Sequence, residues 1–120
     1  MTIRTLQDQL ADFAKERDWE QFHTPKNLAM ALAGEAGELL EVFRWLTPQE
    51  SDDVMREPGR ARAVREEMAD VFAYLLRLAD VLGIDIAEAL KDKIETNRHR
   101  YPAHLARGRA DKYTVLGERR

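Results

Sequence analysis

Val64, Met68, Val71, Leu75, Leu78 and Leu82 return at intervals of three or four residues, the period of one helix face. A stripe of that length commits its segment to an amphipathic helix and requires other helices to cover it. The rest of the chain follows the same period. Leu6, Leu10, Phe13 and Ala14 mark a first helix that ends ahead of the aromatic segment Trp19 to His23. Thr24-Pro25 supplies an N-cap and a first-turn proline for a second helix, which runs to about Trp45 and is stopped by Thr47-Pro48. Residues 48–59 read as a polar connector with room for one helical turn, closed by Pro58-Gly59. The third helix spans about Arg60 to Leu82 and stops at Gly83. Asp85-Ile86-Ala87-Glu88 has capping-box form and opens a fourth helix that ends before Tyr101-Pro102. With no strand alternation and no repeat, the pattern predicts an all-α fold with a four-helix-bundle-type core.

The chain has 120 residues, of which 34% are charged, so one domain over residues 1–120 is expected, with residues 103–120 as a basic tail. A core this small gains from burial against a second copy, so completion by oligomerisation is expected, as a homotetramer or homodimer. A net charge of −3 argues against binding a nucleic-acid polymer. The absence of cysteine excludes disulfides, thiolate metal sites and cysteine catalysis. Met1 to Leu10 carries no apolar run, and no stretch approaches the roughly 20 apolar residues of a membrane span. No membrane partner and a cytoplasmic location are the expectations.

Acids occupy positions on these helices where apolar residues belong. On the second helix, Ala31, Glu35, Glu38, Val42 and Trp45 share one stripe, beside another made of Leu28, Leu32, Glu35, Leu39 and Val42. On the third, Ala63, Glu67, Asp70 and Tyr74 run next to the core stripe. Each helix thus sets two acids one turn apart, at or beside its buried seam. Unpartnered buried carboxylates are costly and would protonate, so a positive charge must sit between them. Arg44, Arg62 and Arg77 could neutralise some, as on an ordinary solvated helix face. The alternative is a cation: four carboxylates without His or Cys select a hard one, Mg²⁺ or Mn²⁺. A di-iron bundle would need Glu-x-x-His pairs, and the sequence has none. Gly34 and Gly37 flank the first pair at about 1 kcal/mol each relative to alanine, which suggests close approach of a neighbouring helix or a ligand.

These residues resemble the MazG-like superfamily of all-α nucleotide pyrophosphohydrolases, whose hallmark is E-x-x-E, a spacer and E-x-x-D. Here it reads Glu35-Ala-Gly-Glu38, 28 intervening residues, then Glu67-Met-Ala-Asp70. The segments Arg17-Asp18-Trp19-Glu20-Gln21-Phe22-His23, Pro25-Lys26-Asn27-Leu28, Asn97-Arg98-His99-Arg100-Tyr101-Pro102 and Lys112-Tyr113 look like the dCTP pyrophosphatase branch. The resemblance implies that Glu35, Glu38, Glu67 and Asp70 hold Mg²⁺ (with Mn²⁺ as a substitute). The substrate would be a deoxynucleoside triphosphate, dCTP or a modified dCTP, split into monophosphate and pyrophosphate as house-cleaning of the nucleotide pool. Among Glu38, Glu41 and Glu66, one acid would orient or deprotonate the attacking water.

Lys93, Asn97 and Tyr101 lie four apart on the fourth helix and could supply a phosphate contact, an amide and a ring. Helical spacing alone would put Trp19, Trp45 and Tyr74 in the core; the resemblance makes the two tryptophans base contacts and Tyr74 a candidate beside Asp70. Arg109 and Lys112 could close over the phosphates. His23, His99 and His104 have no metal spacing and read as surface or interface histidines. Other readings are a relative selective for dUTP or damaged purine nucleotides, and a non-catalytic helical oligomer that binds nucleotide or a partner.

Overall fold

The long helices start where a side-chain oxygen takes up a backbone N–H that has no partner within the helix. In the computed structural model, which describes residues 1–110, Thr2 accepts from Thr5 to open α1 (Ile3–Glu16). Thr24 accepts from Asn27 to open α2 (Pro25–Phe43). Thr47 and Glu50 form a reciprocal capping box on the short α3 (Pro48–Asp52). After a 3₁₀ turn at Val54–Arg56, Glu57 accepts from the N–H groups of Gly59 and Arg60 at 2.9 and 2.7 Å and opens α4 (Pro58–Leu82). No strand occurs among the described residues, and the fold is all-α as expected.

Two boundaries differ from the sequence reading. Pro58-Gly59 begins α4 instead of closing the connector, because a first-turn proline lacks only an N–H that has no helical partner. α2 ends at Phe43, so Trp45 lies beyond it in a turn, 77% exposed, with the Arg44 guanidinium 4.5 Å above its ring. The end of α4 is as read: Gly83 takes φ +69°, where a side chain would be strained.

The described residues form two compact units, Met1–Ile84 and a second beginning at Asp85. In the first, α4 packs along α2 and against α1. Leu28 and Leu76 are its fully buried large side chains, with Ala14, Val64 and Ala79 around them. The innermost face of α4 is therefore turned from the predicted stripe: Met68 and Leu82 are exposed, while Leu76 and Ala79 are buried. The reason is α1, which covers the Leu76 side. There the buried Gln7 amide donates to the Leu76 carbonyl oxygen at 3.0 Å. Arg4 adds two bonds to Asp80, at 3.0 and 3.1 Å.

Gly34 and Gly37 face open space: a Cβ on either would meet nothing within 4 Å. Among the described residues, neither glycine is explained by the close approach of a neighbouring helix. Met30, Leu40, Met68 and Phe72 are also exposed on α2 and α4.

In the second unit, Asp85 accepts from Glu88 and opens α5 (Ile86–Arg100). Tyr101 ends that helix, its N–H bonded to the Asn97 carbonyl at 2.7 Å, and α6 (Ala103–Ala106) follows. Among the described residues, no helix is long and apolar enough to cross a membrane.

Candidate metal centre and adjoining pocket

Glu35 comes from the middle of α2, and Glu67 and Asp70 from one turn of α4. A carboxylate oxygen from each lies within 4.8 Å of the others. The pairing of α2 with α4 turns two stripes toward each other and so gathers three acids where each helix alone had two. Glu38 is exposed and falls outside this group, yet remains near enough for its charge to act on Glu67.

Glu67 is the strained member. Its Oε2 is buried and has no hydrogen-bond partner. Burial pushes its carboxyl above the usual range, and the charges of Glu35, Asp70 and Glu38 push it further. Two of the three arginines that might have neutralised the cluster are engaged elsewhere: Arg44 with Glu41 at 2.6 Å, Arg77 with His23 and Asp80. An orphaned buried carboxylate oxygen among acids, with no nitrogen or sulfur donor, fits a hard divalent cation.

A cavity of about 170 Å³ opens beside the cluster. Trp19 and Tyr74 are its rings, Phe13 and Leu10 close it from α1, and His23, Arg77 and Asp70 are its polar wall. Asp70 thus belongs to both features. Trp19 reaches the cavity through a left-handed residue: Asp18 has φ +54°, uncommon without a glycine. Gln21 holds that turn by donating to the Asp18 carbonyl oxygen and carboxylate at 2.9 and 3.0 Å. The Trp19 N–H bonds to the Ala14 carbonyl at 2.8 Å. Its ring meets Phe13 edge-to-face, with centroids 5.7 Å apart.

His23 departs from the sequence reading. It is half-buried in the cavity wall, and its Nδ1 accepts from Arg77 Nε at 3.1 Å. Burial, and then the Arg77 charge, hold its pKa below the ordinary histidine value. The signal was present only as the local run Trp19 to His23; its partner lies 54 residues away.

Three more predicted residues of the first unit lie outside these two features. Trp45 does not line the cavity. Glu41 is bound by Arg44, and Glu66 is exposed on α4 outside the cluster. Lys93 and Asn97 lie on α5 and Tyr101 at its end, with Arg109 further along the second unit. Lys112 lies outside the described residues.

The chain is 47% identical over 115 residues to the dCTP pyrophosphatase 1 of Rattus norvegicus, covering 96% of this chain and 68% of that protein. The Homo sapiens dCTP pyrophosphatase 1 matches at 47% with the same coverage. Among solved structures, a pyrophosphatase from Archaeoglobus fulgidus superposes with a TM-score of 0.77 at 44% identity, covering 82% of this chain and 91% of that one. Residues 31–116, which include all four acids, match the MazG-like family. On this match and these identities, the chain belongs to the MazG-like family.

Proposed function

We propose that this protein is a Mg²⁺-dependent nucleoside triphosphate pyrophosphohydrolase that converts dCTP or a modified dCTP into the monophosphate and pyrophosphate. The observation that carries this reading is the sharing of Asp70 between the carboxylate cluster and the aromatic cavity. A nucleotide binds triphosphate and base at adjoining places, and here a cation-binding group adjoins a ring-sized slot. The relatives named dCTP pyrophosphatase 1 support the substrate class.

Glu35, Glu67 and Asp70 would hold the cation, with Glu38 beside them. When bound, Mg²⁺ offsets the charge of the triphosphate and lowers the cost of the charge that builds on the departing pyrophosphate. Water attacks the α-phosphorus, the bond to the α–β bridging oxygen breaks, and pyrophosphate leaves. Glu38 is exposed and outside the tight cluster, which suits it to orient that water and accept its proton; Glu41 and Glu66 are the other acids for that task. Trp19 and Tyr74 would flank the base. Lys93, Asn97 and Tyr101, four apart in sequence, would add a phosphate contact, an amide and a ring; Trp45 would add a base contact, and Arg109 and Lys112 would close over the phosphates.

The family match runs through residues of both units, which supports reading the chain as one domain. Exposed Met30, Leu40, Met68 and Phe72 suit a homotetramer or homodimer, and a nucleotide-pool substrate suits the cytoplasm. The test is pyrophosphate release from a panel of deoxynucleoside triphosphates with Mg²⁺. Turnover of dCTP above the other bases supports the reading, and no turnover of any nucleotide overturns it.

A further inference from the structure

The His23–Arg77 pair takes no part in the cation cluster, yet it forms a polar side of the cavity. Arginine Nε carries a proton and no lone pair, so it can only donate. Its partner at 3.1 Å is His23 Nδ1, which must therefore present its lone pair. Burial and the adjacent Arg77 charge both oppose a second proton on the ring. A neutral imidazole with an unprotonated Nδ1 keeps its proton on Nε2. Arg77 is itself held: Asp80 lies 3.8 Å from it and takes two bonds from Arg4. The ring's acceptor is thus taken, and Nε2–H is the one polar group it has left for an occupant of the cavity it lines.

The size of the cavity limits that occupant. A cavity of about 150 Å³ is known to admit benzene, and this one is about 170 Å³. That volume matches a single six-membered ring beside Trp19 and Tyr74. Among pyrimidines, cytosine presents an unprotonated N3 on its Watson–Crick edge, while uracil and thymine carry a proton there.

We propose that Arg77 fixes His23 as the Nε2–H tautomer, and that this N–H reads N3 of a cytosine ring and rejects uracil and thymine. His23 is the specificity-determining residue and Arg77 a positioning residue that acts through it. The inference rests on the reading of the site as a nucleotide pocket. With uracil or thymine two donors would face each other, a mismatch that a buried site penalises strongly.

The test has a spectroscopic and a kinetic arm. Nitrogen-15 spectra of the wild-type protein at neutral pH, with His23 assigned by the signals lost in His23→Phe, should show a neutral ring protonated at Nε2. In Arg77→Met both tautomers should be populated. The ratio of kcat/KM for dCTP over dUTP should fall about tenfold or more in His23→Phe. The ratio should fall in Arg77→Met too and recover in part in Arg77→Lys, which restores a donor. A wild-type ring protonated at Nδ1, or an unchanged dCTP/dUTP ratio in a folded His23→Phe that still hydrolyses dCTP, overturns the inference. If the wild-type protein hydrolyses no nucleotide, the proposed function falls, while the imidazole spectrum still decides the tautomer.

Discussion

Glu35 on α2 and Glu67 on α4 bring carboxylate oxygens within 4.8 Å of each other, although 31 positions separate them in the chain. Two acids so close cannot both be comfortable as anions without a cation, and the consequence can be measured as pH dependence. The folded-state pKa of Glu67 is raised, so over part of the pH range the native protein holds a proton that the unfolded chain has released. Stability of the metal-free protein should therefore fall as pH rises from about 4.5 through the raised Glu67 value. Above that value the penalty is complete. Thermal unfolding in a chelator checks this, and Glu67→Gln should flatten the dependence and raise the neutral-pH Tm.

Divalent cation should reverse the penalty. At a hundredfold excess over Kd, Mg²⁺ binding to the native state adds about 2.7 kcal/mol of stability. Wild-type protein should show the corresponding rise in Tm on replacing chelator by Mg²⁺, while Glu67→Gln and Asp70→Asn should show little. An equal rise in all three would place the cation elsewhere.

Glu38→Gln separates chemistry from folding. Glu38 is exposed and has no role in the core, so the variant should unfold like wild type. Its hydrolysis of dCTP should fall by about a hundredfold or more, the scale of losing one preorganised catalytic group. Full activity in this variant would remove Glu38 from the mechanism.

At the pocket, Trp19→Ala should weaken dCTP binding by about 1–3 kcal/mol, the range for loss of one base–aromatic contact, and raise KM more than it lowers kcat. Trp19→Phe should retain most of the affinity. Steady-state kinetics on both variants makes the comparison.

The scaffold gives its own test. Gln7 is 6% exposed and donates to Leu76, so Gln7→Ala should cost about 0.5–1.5 kcal/mol of stability, the net worth of one hydrogen bond to a carbonyl that keeps its helical partner. Leu28→Ala, at 1% exposure, should cost about 2–5 kcal/mol by opening a cavity between α2 and α4. Denaturant unfolding measures both.

What the chain disclosed before folding was whatever its local periodicity carries. Helical spacing put Glu35 and Glu67 beside apolar seams, and the caps at Thr24, Thr47 and Asp85 marked where helices begin. Two kinds of information were missing. The rotation of α4 depended on which side α1 would cover, so Met68 read as core and proved exposed, while Leu76 was overlooked. The His23–Arg77 bond joins distant segments through one side-chain geometry, and neither residue has a pattern that announces the other. Trp45 marks the same limit: its place on the acid stripe holds only while the helix continues, and α2 stops at Phe43.

The left-handed turn at Asp18 has a consequence for how such a pocket can change over generations. The Trp19 ring is set by the Asp18 turn, by its brace from Gln21 and by the contact with Phe13. Substitutions at positions 18 and 21 can re-aim the ring without touching an acid. That turn lies outside both helices that carry the acids, and among the described residues Asp70 belongs to cavity and cluster alike. A lineage can then reshape the aromatic side of the cavity while inheriting its carboxylates intact.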